Sequence, residues 1–123
     1  MILDSNVIIY SAIKQNGHIR EYLKKNENKL AVSAISKLEV LGYNKLTPDE
    51  RIAFESFFQN INIYAIDSSV IEKAISLRQL KKISLGDSII AATALLHNHK
   101  IFTNNEDDFK HIPGLKIIPM NTI

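Results

Sequence analysis

The sequence predicts an α/β fold: a largely parallel five-stranded sheet with helices on both faces. Three observations carry that expectation. Short β-rich runs alternate with longer helical ones, the pattern expected when helices return the chain to parallel strands. The run from Ile89 to Leu96, IIAATALL, is apolar on nearly every side, as a helix at the centre of a layered core would be. No internal repeat, low-complexity stretch or linker interrupts the 123 residues, so residues 1–123 are expected to form a single domain.

Taken in order, the chain opens with a brief strand, Met1 to Leu3, that ends in Asp4. A helix over Asn6 to Ile13 breaks near Asn16-Gly17, and a second helical piece follows over His18 to Lys25. Lys29 to Val32 reads as the second strand, and Ser33 caps a helix that reaches Tyr43. Thr47-Pro48-Asp49-Glu50 is a strong helix start: Thr47 caps, Pro48 suits the first helical position and Glu50 closes a capping box. That helix runs to Gln59, with Ile52, Phe54, Phe57 and Phe58 as its apolar contacts. Ile61 to Ile66 is the third strand. Asp67 or Ser68 then caps a helix to Leu80 that turns Val70, Ile71, Ala74 and Leu77 inward. The all-apolar helix follows, led by Asp87. Lys100 to Thr103 is the fourth strand, Glu106 to Lys110 a short helical turn, and Lys116 to Ile118 an edge strand after Pro113-Gly114.

Composition removes several classes of function. With 46% apolar residues the chain can build a genuine core, and with no cysteine it has neither disulfides nor thiolate metal sites. No apolar run approaches the ~20 residues of a membrane span, and no cleavable leader is evident, so a soluble cytoplasmic protein is expected. A net charge of +2 permits a polyanionic partner without requiring one.

The acids hold the chemistry. Asp4 directly follows an apolar strand, at the end of the sheet where ligands gather in open α/β folds; the position equally suits an N-cap. Glu39 shares a helix face with Ile35 and Gly42, so it is expected to point inward, where a carboxylate needs a partner or a cation. Asp87 precedes Ile90, Ala91 and Ala94 on one face, and taken singly it reads as a helix cap. Asp107 and Asp108 lie in a loop, where acids are commonplace. Carboxylates brought together from these distant segments would repel: two unit charges ~4 Å apart cost about 4 kcal/mol at an effective dielectric near 20. A bound cation relieves that cost. An all-oxygen donor set favours Mg²⁺ or Mn²⁺ over zinc. The histidines (His18, His97, His99 and His111) do not make a convincing metal set, and favourable dipole contacts at a helix end account for His97 and His99.

Four segments in order resemble a PIN-domain ribonuclease, specifically a VapC-type toxin of a toxin–antitoxin pair. MILDSNVII is similar to the family's opening strand with its Asp-Thr/Ser-Asn motif, SAISKLEVLGY to its second acidic helix, GDSIIAATA to its third acidic motif and IFTNNEDDF to its final segment. The resemblance implies that Asp4, Glu39 and Asp87 hold Mg²⁺ or Mn²⁺ for endonucleolytic cleavage of RNA. It makes Ser5 and Asn6 hydrogen-bonding support for the acids or the scissile phosphate. It also implies a homodimer and a protein antitoxin whose tail covers the acidic groove. In one place the sequence departs from the pattern: the family often has Asp two residues after the motif Thr, and here that residue is Asn105. The fourth ligand role therefore falls on Asn105, on Asp108, or on both through water; the expectation is that Asp108 reaches the site while Asn105 orients water or substrate. Lys24, Lys25, Lys81, Lys82 and Lys100 are candidate contacts to an RNA backbone. Three rivals remain. A phosphoacceptor domain would need paired acids after the first strand, where only Asp4 stands. A catalytically silent RNA-binding module of the same fold should not bind divalent metal. DNA nucleases of related fold usually carry extra acids and helices.

Overall fold

A computed structural model describes residues 1–123. The strands are short: β1 (Ile2–Leu3), β2 (Ala31–Ser33), β3 (Asn62–Tyr64), β4 (Ile101–Thr103) and β5 (Ile117–Pro119). They form one sheet in the order β3-β2-β1-β4-β5, with every neighbouring pair parallel. The helices are α1 (Ser5–Ser11), α2 (Gly17–Lys25), α3 (Ala34–Leu41), α4 (Pro48–Gln59), α5 (Ser68–Leu80) and α6 (Leu85–Leu96).

Side-chain alternation along the strands separates two apolar cores. Ile2, Ala31 and Ile101, paired across neighbouring strands, point to the face covered by α5 and α6, where Val70, Ala74, Leu77 and Ile90 meet them. Leu3, Val32 and Phe102 point to the other face, against Val7 and Ile8 of α1, Ile19 and Leu23 of α2, and Phe54 and Phe58 of α4. A sheet buried on both faces needs continuously apolar strands, which is how IL, AV and IF read.

Local signals set the helix ends. Ser33 accepts from the Ile35 amide and Thr47 forms the reciprocal capping box with Glu50. Asp67, of the two caps offered by the sequence, accepts from the Val70 amide. Two apolar residues do not face inward as the sequence suggests: Ile52 is 65% exposed and Ile71 42% exposed. The reason is angular. Phe54 and Phe58 are four apart and define the buried stripe of α4, whereas Ile52 lies about 200° around the helix from Phe54. Ile71 follows Val70 by one residue, so it leaves the Val70–Ala74–Leu77 stripe by about 100°. The third strand is also shorter than the run Ile61 to Ile66, because its ladder covers only the three residues of β2, Ala31 to Ser33.

Candidate functional site

Strand order reverses between β1 and β4: the chain builds β2 and β3 on one side of β1, then β4 and β5 on the other. Such a switch point opens a crevice beyond the carboxyl ends of the two strands. Asp4 leaves β1 there and Thr103 ends β4 there. Asp4 occupies the N-cap position of α1, yet its side chain caps nothing. Its Oδ2 instead accepts from Thr103 Oγ1 at 2.8 Å, which turns a carboxylate only 5% exposed toward the crevice. Thr103 Oγ1 in turn accepts from the Asn105 amide at 3.0 Å, which folds the chain back over the strand end. Asn105 Nδ2 then donates to Asp108 Oδ2 at 2.8 Å. The neutral residue that stands where an acid was expected therefore holds the acid three positions on.

Glu39 enters from α3. It is exposed rather than inward: α3 buries Ser36 and Val40 and packs Ile35 against the core, which leaves Glu39 on the solvent side. Its Oε1 accepts from Ser5 Oγ at 2.8 Å, and Ser5 Oγ lies 2.9 Å from the buried Ser36 hydroxyl. Ser5 has a single hydroxyl hydrogen, so Ser36 donates in that second contact. Glu39 also rests on the first turn of α6: a Cβ added at Gly86 would lie 2.7 Å from its Oε2. Only glycine permits that approach. The next residue, Asp87, is not the cap of α6, because Ser84 Oγ accepts from the Asp87 amide at 3.1 Å and takes that role.

Electrostatics tie the four acids together. Burial pushes the Asp87 carboxyl up to about 6; Ser84 opposes the shift, while Asp4, Asp108 and Glu39 add to it by repulsion. Burial likewise raises Asp4, against hydrogen bonds from Thr103 and the Ser5 amide, and Glu39 and Asp108 push it the same way. No lysine or arginine pairs with any of the four; the ion pairs of the chain are Arg51–Glu55 and Lys110–Asp107. The acids ring the crevice rather than meet in it, and no three acidic or imidazole side chains are gathered closely enough to hold one metal ion as they stand.

The other candidate residues are scattered. Asn6 is exposed on the first turn of α1 beside Ser5. Asp107 pairs with Lys110 at 2.9 Å and also borders the cleft that holds Asp87 and Asp108. Lys81 and Lys82 border a cleft of about 580 Å³ together with Asp87 and Asp108. Lys24 instead lines a mainly apolar cleft of about 450 Å³ between α2 and α4, and Lys100 precedes β4 at the opposite end of the sheet from the acids. His97 stacks on Tyr64 with ring centroids 3.8 Å apart, and His99 Nε2 lies 3.0 Å from the Tyr64 hydroxyl, so an aromatic partner accounts for both. Ser36 on Ser5, Gly86 against Glu39 and Arg78 lining the cleft beside Asp87 and Asp108 are neighbours of the acids that motif spacing does not single out. A glycine just ahead of the acid in an acid-led helix, and a small residue one turn before Glu39, are the signals that point to the first two.

A crevice at the switch point of a parallel sheet, ringed by acids from four segments, defines a class of protein as well as a site. The chain belongs to the PIN-domain family, whose model matches residues 1–115. Among individual relatives it is similar to the tRNA(fMet)-specific endonuclease VapC of Salmonella typhimurium, with 28% identity over 127 aligned positions that cover 94% of each chain. Among solved structures it resembles a chain of a toxin–antitoxin complex from Klebsiella pneumoniae, with 30% identity, a TM-score of 0.76 and coverage of 95% of this chain and 94% of that one. It also resembles a chain of DNA-bound VapBC from Salmonella typhimurium, with 25% identity, a TM-score of 0.84 and 96% coverage of both.

Proposed function

We propose that this chain is a VapC-type endoribonuclease, the toxin of a toxin–antitoxin pair, which cleaves RNA with a divalent cation that would draw Asp4, Glu39, Asp87 and Asp108 inward from the rim of the crevice. The observation that carries the reading is the acidic crevice itself. Four carboxylates from four separate elements act on one another, two of them are raised in pKa, and none has a cationic partner within the chain. A site built this way is costly unless a cation completes it. Its donors are all oxygens, which fits Mg²⁺ or Mn²⁺. A cation bound there supplies Lewis acidity toward a phosphate and a hydrolytic nucleophile at neutral pH.

The chain's own residues do the rest. Thr103 fixes the rotamer of Asp4, Ser5 with Ser36 fixes Glu39, and Asn105 fixes Asp108, so three of the four carboxylates are oriented by neutral hydrogen-bond donors. The exposed Asn6 amide is placed to hydrogen-bond a phosphate or sugar. Asp107 has no part in the chemistry.

The relatives' names support RNA as substrate, with tRNA the first class to test, and a proteinaceous antitoxin as partner. An RNA substrate goes with a cytoplasmic place of action, and no helix is long and apolar enough to cross a membrane. A homodimer belongs to the same reading, supported by the exposed isoleucines Ile71 and Ile75 one turn apart on α5. Residues 1–123 act as one domain. Purified protein incubated with total RNA should produce discrete new 5′ ends with Mg²⁺ or Mn²⁺ and none with EDTA. Cleavage that persists in EDTA, or intact RNA under every metal condition, would refute the reading.

A further inference from the structure

Opposite charge shares the cleft that Asp87, Asp108 and the Lys110-paired Asp107 border. Arg78 near the end of α5, and Lys81 and Lys82 in the connection to α6, line the same space, and none of the three forms an ion pair. Three cations left unpaired beside carboxylates point away from those carboxylates as their partners. His111, just beyond the short helical turn that carries Asp108, also borders the cleft. Both of its ring nitrogens are shut off from solvent and have no hydrogen-bond partner within the chain. An unsatisfied buried polar group lowers stability until a water or a ligand completes it, and no side chain competes for these two nitrogens. A half-turn of the ring about its Cβ–Cγ bond exchanges nitrogens with carbons, so either edge can be offered to the cleft.

On the nuclease reading above, we propose that Arg78, Lys81, Lys82 and His111 form a subsite for an RNA phosphate next to the one being cut, which positions the strand across the acids. Acids that hold a cation and cations that hold a phosphate then divide one cleft between the scissile linkage and its neighbour. The volume of about 580 Å³ lies within the ~300–1,000 Å³ of small-ligand sites and accommodates a nucleotide unit. Arg78 brings a fork of donors suited to phosphate, the lysines bring point charge, and the imidazole brings an N–H in either tautomer.

Binding of a short labelled single-stranded RNA to the full chain in EDTA, followed by fluorescence anisotropy across a salt series, tests the subsite without cleavage. The triple variant Arg78→Gln, Lys81→Gln, Lys82→Gln should weaken binding by about tenfold or more. It should also flatten the slope of log affinity against log salt by about 2, since each lost phosphate contact on a single strand contributes about 0.7. His111→Leu should weaken binding several-fold and leave the melting temperature equal or higher, because it removes two unsatisfied nitrogens. His111→Gln, which keeps a donor, should recover part of the affinity. Wild-type affinity and salt slope in the triple variant would overturn the proposal, as would a His111→Leu that melts lower and binds RNA unchanged. Cleavage by wild type with Mn²⁺, run in parallel, separates the two readings. A wild type that neither binds nor cuts RNA refutes both, whereas one that cuts RNA while the variants bind it normally refutes the subsite alone.

Discussion

Gly86 is where a single atom decides the site. A methyl group there would meet the far end of the Glu39 side chain rather than backbone, so Gly86→Ala displaces a carboxylate without breaking the fold. The expected result is a melting temperature within a few degrees of wild type, because alanine is also the better helix former, and RNA cleavage slowed at least about tenfold. Asp87 makes a second prediction. Its carboxyl, raised to about 6, lies above its unfolded value of ~3.9, so between those pH values the folded chain binds the extra proton. Stability of the metal-free protein therefore falls as pH rises through that window, and Asp4 acts in the same sense. Urea unfolding of the metal-free protein at pH 5 and pH 7 should show this contribution as a gap that narrows in Asp87→Asn. A gap of unchanged size in that variant would show that Asp87 titrates normally. Asp108→Asn should slow cleavage about tenfold or more, whereas Asp107→Asn should match wild type, since its partner is Lys110. Much of this was legible in the sequence: the acids, and the departure at Asn105. The partners that aim the acids were not. Ser5 lies 34 residues from Glu39, and Thr103 lies 99 from Asp4, so only the folded sheet brings each pair together.

Among the elements, α6 was the most readable. An apolar sequence on all sides has one stable location, and Ser88 through Ala94 are buried without exception. The amphipathic helices were harder. Ile52 and Ile71 look like core residues by hydrophobicity alone, and only the angle to Phe54–Phe58 or Val70–Ala74–Leu77 shows that they face out. The difference is measurable. Phe58→Ala should cost about 3–5 kcal/mol in chemical denaturation, the range for a deleted core aromatic, while Ile52→Gln should stay within about 0.5 kcal/mol of wild type. A large loss at Ile52 would mean that α4 is rotated from the orientation described. The strands were legible as apolar runs but not in their ends. β3 ends after Tyr64 because its ladder with β2 ends at Ser33, a constraint that no local propensity records.

For the whole molecule, the fold has an acidic crevice at one end whose repulsion the chain does not neutralise. The metal-free protein therefore holds stability in reserve. A cation that binds only the folded state adds about 2.7 kcal/mol at a hundredfold excess over its Kd, which should raise the melting temperature by several degrees. The direct test of the account is the rate of RNA cleavage by the full chain as Mn²⁺ is titrated from zero, for wild type and Asp87→Asn side by side. Wild type should be silent without metal and rise to saturation, and Asp87→Asn should stay at least about a hundredfold slower at every concentration. Equal rates for the two proteins, or a wild-type rate indifferent to Mn²⁺, would contradict it.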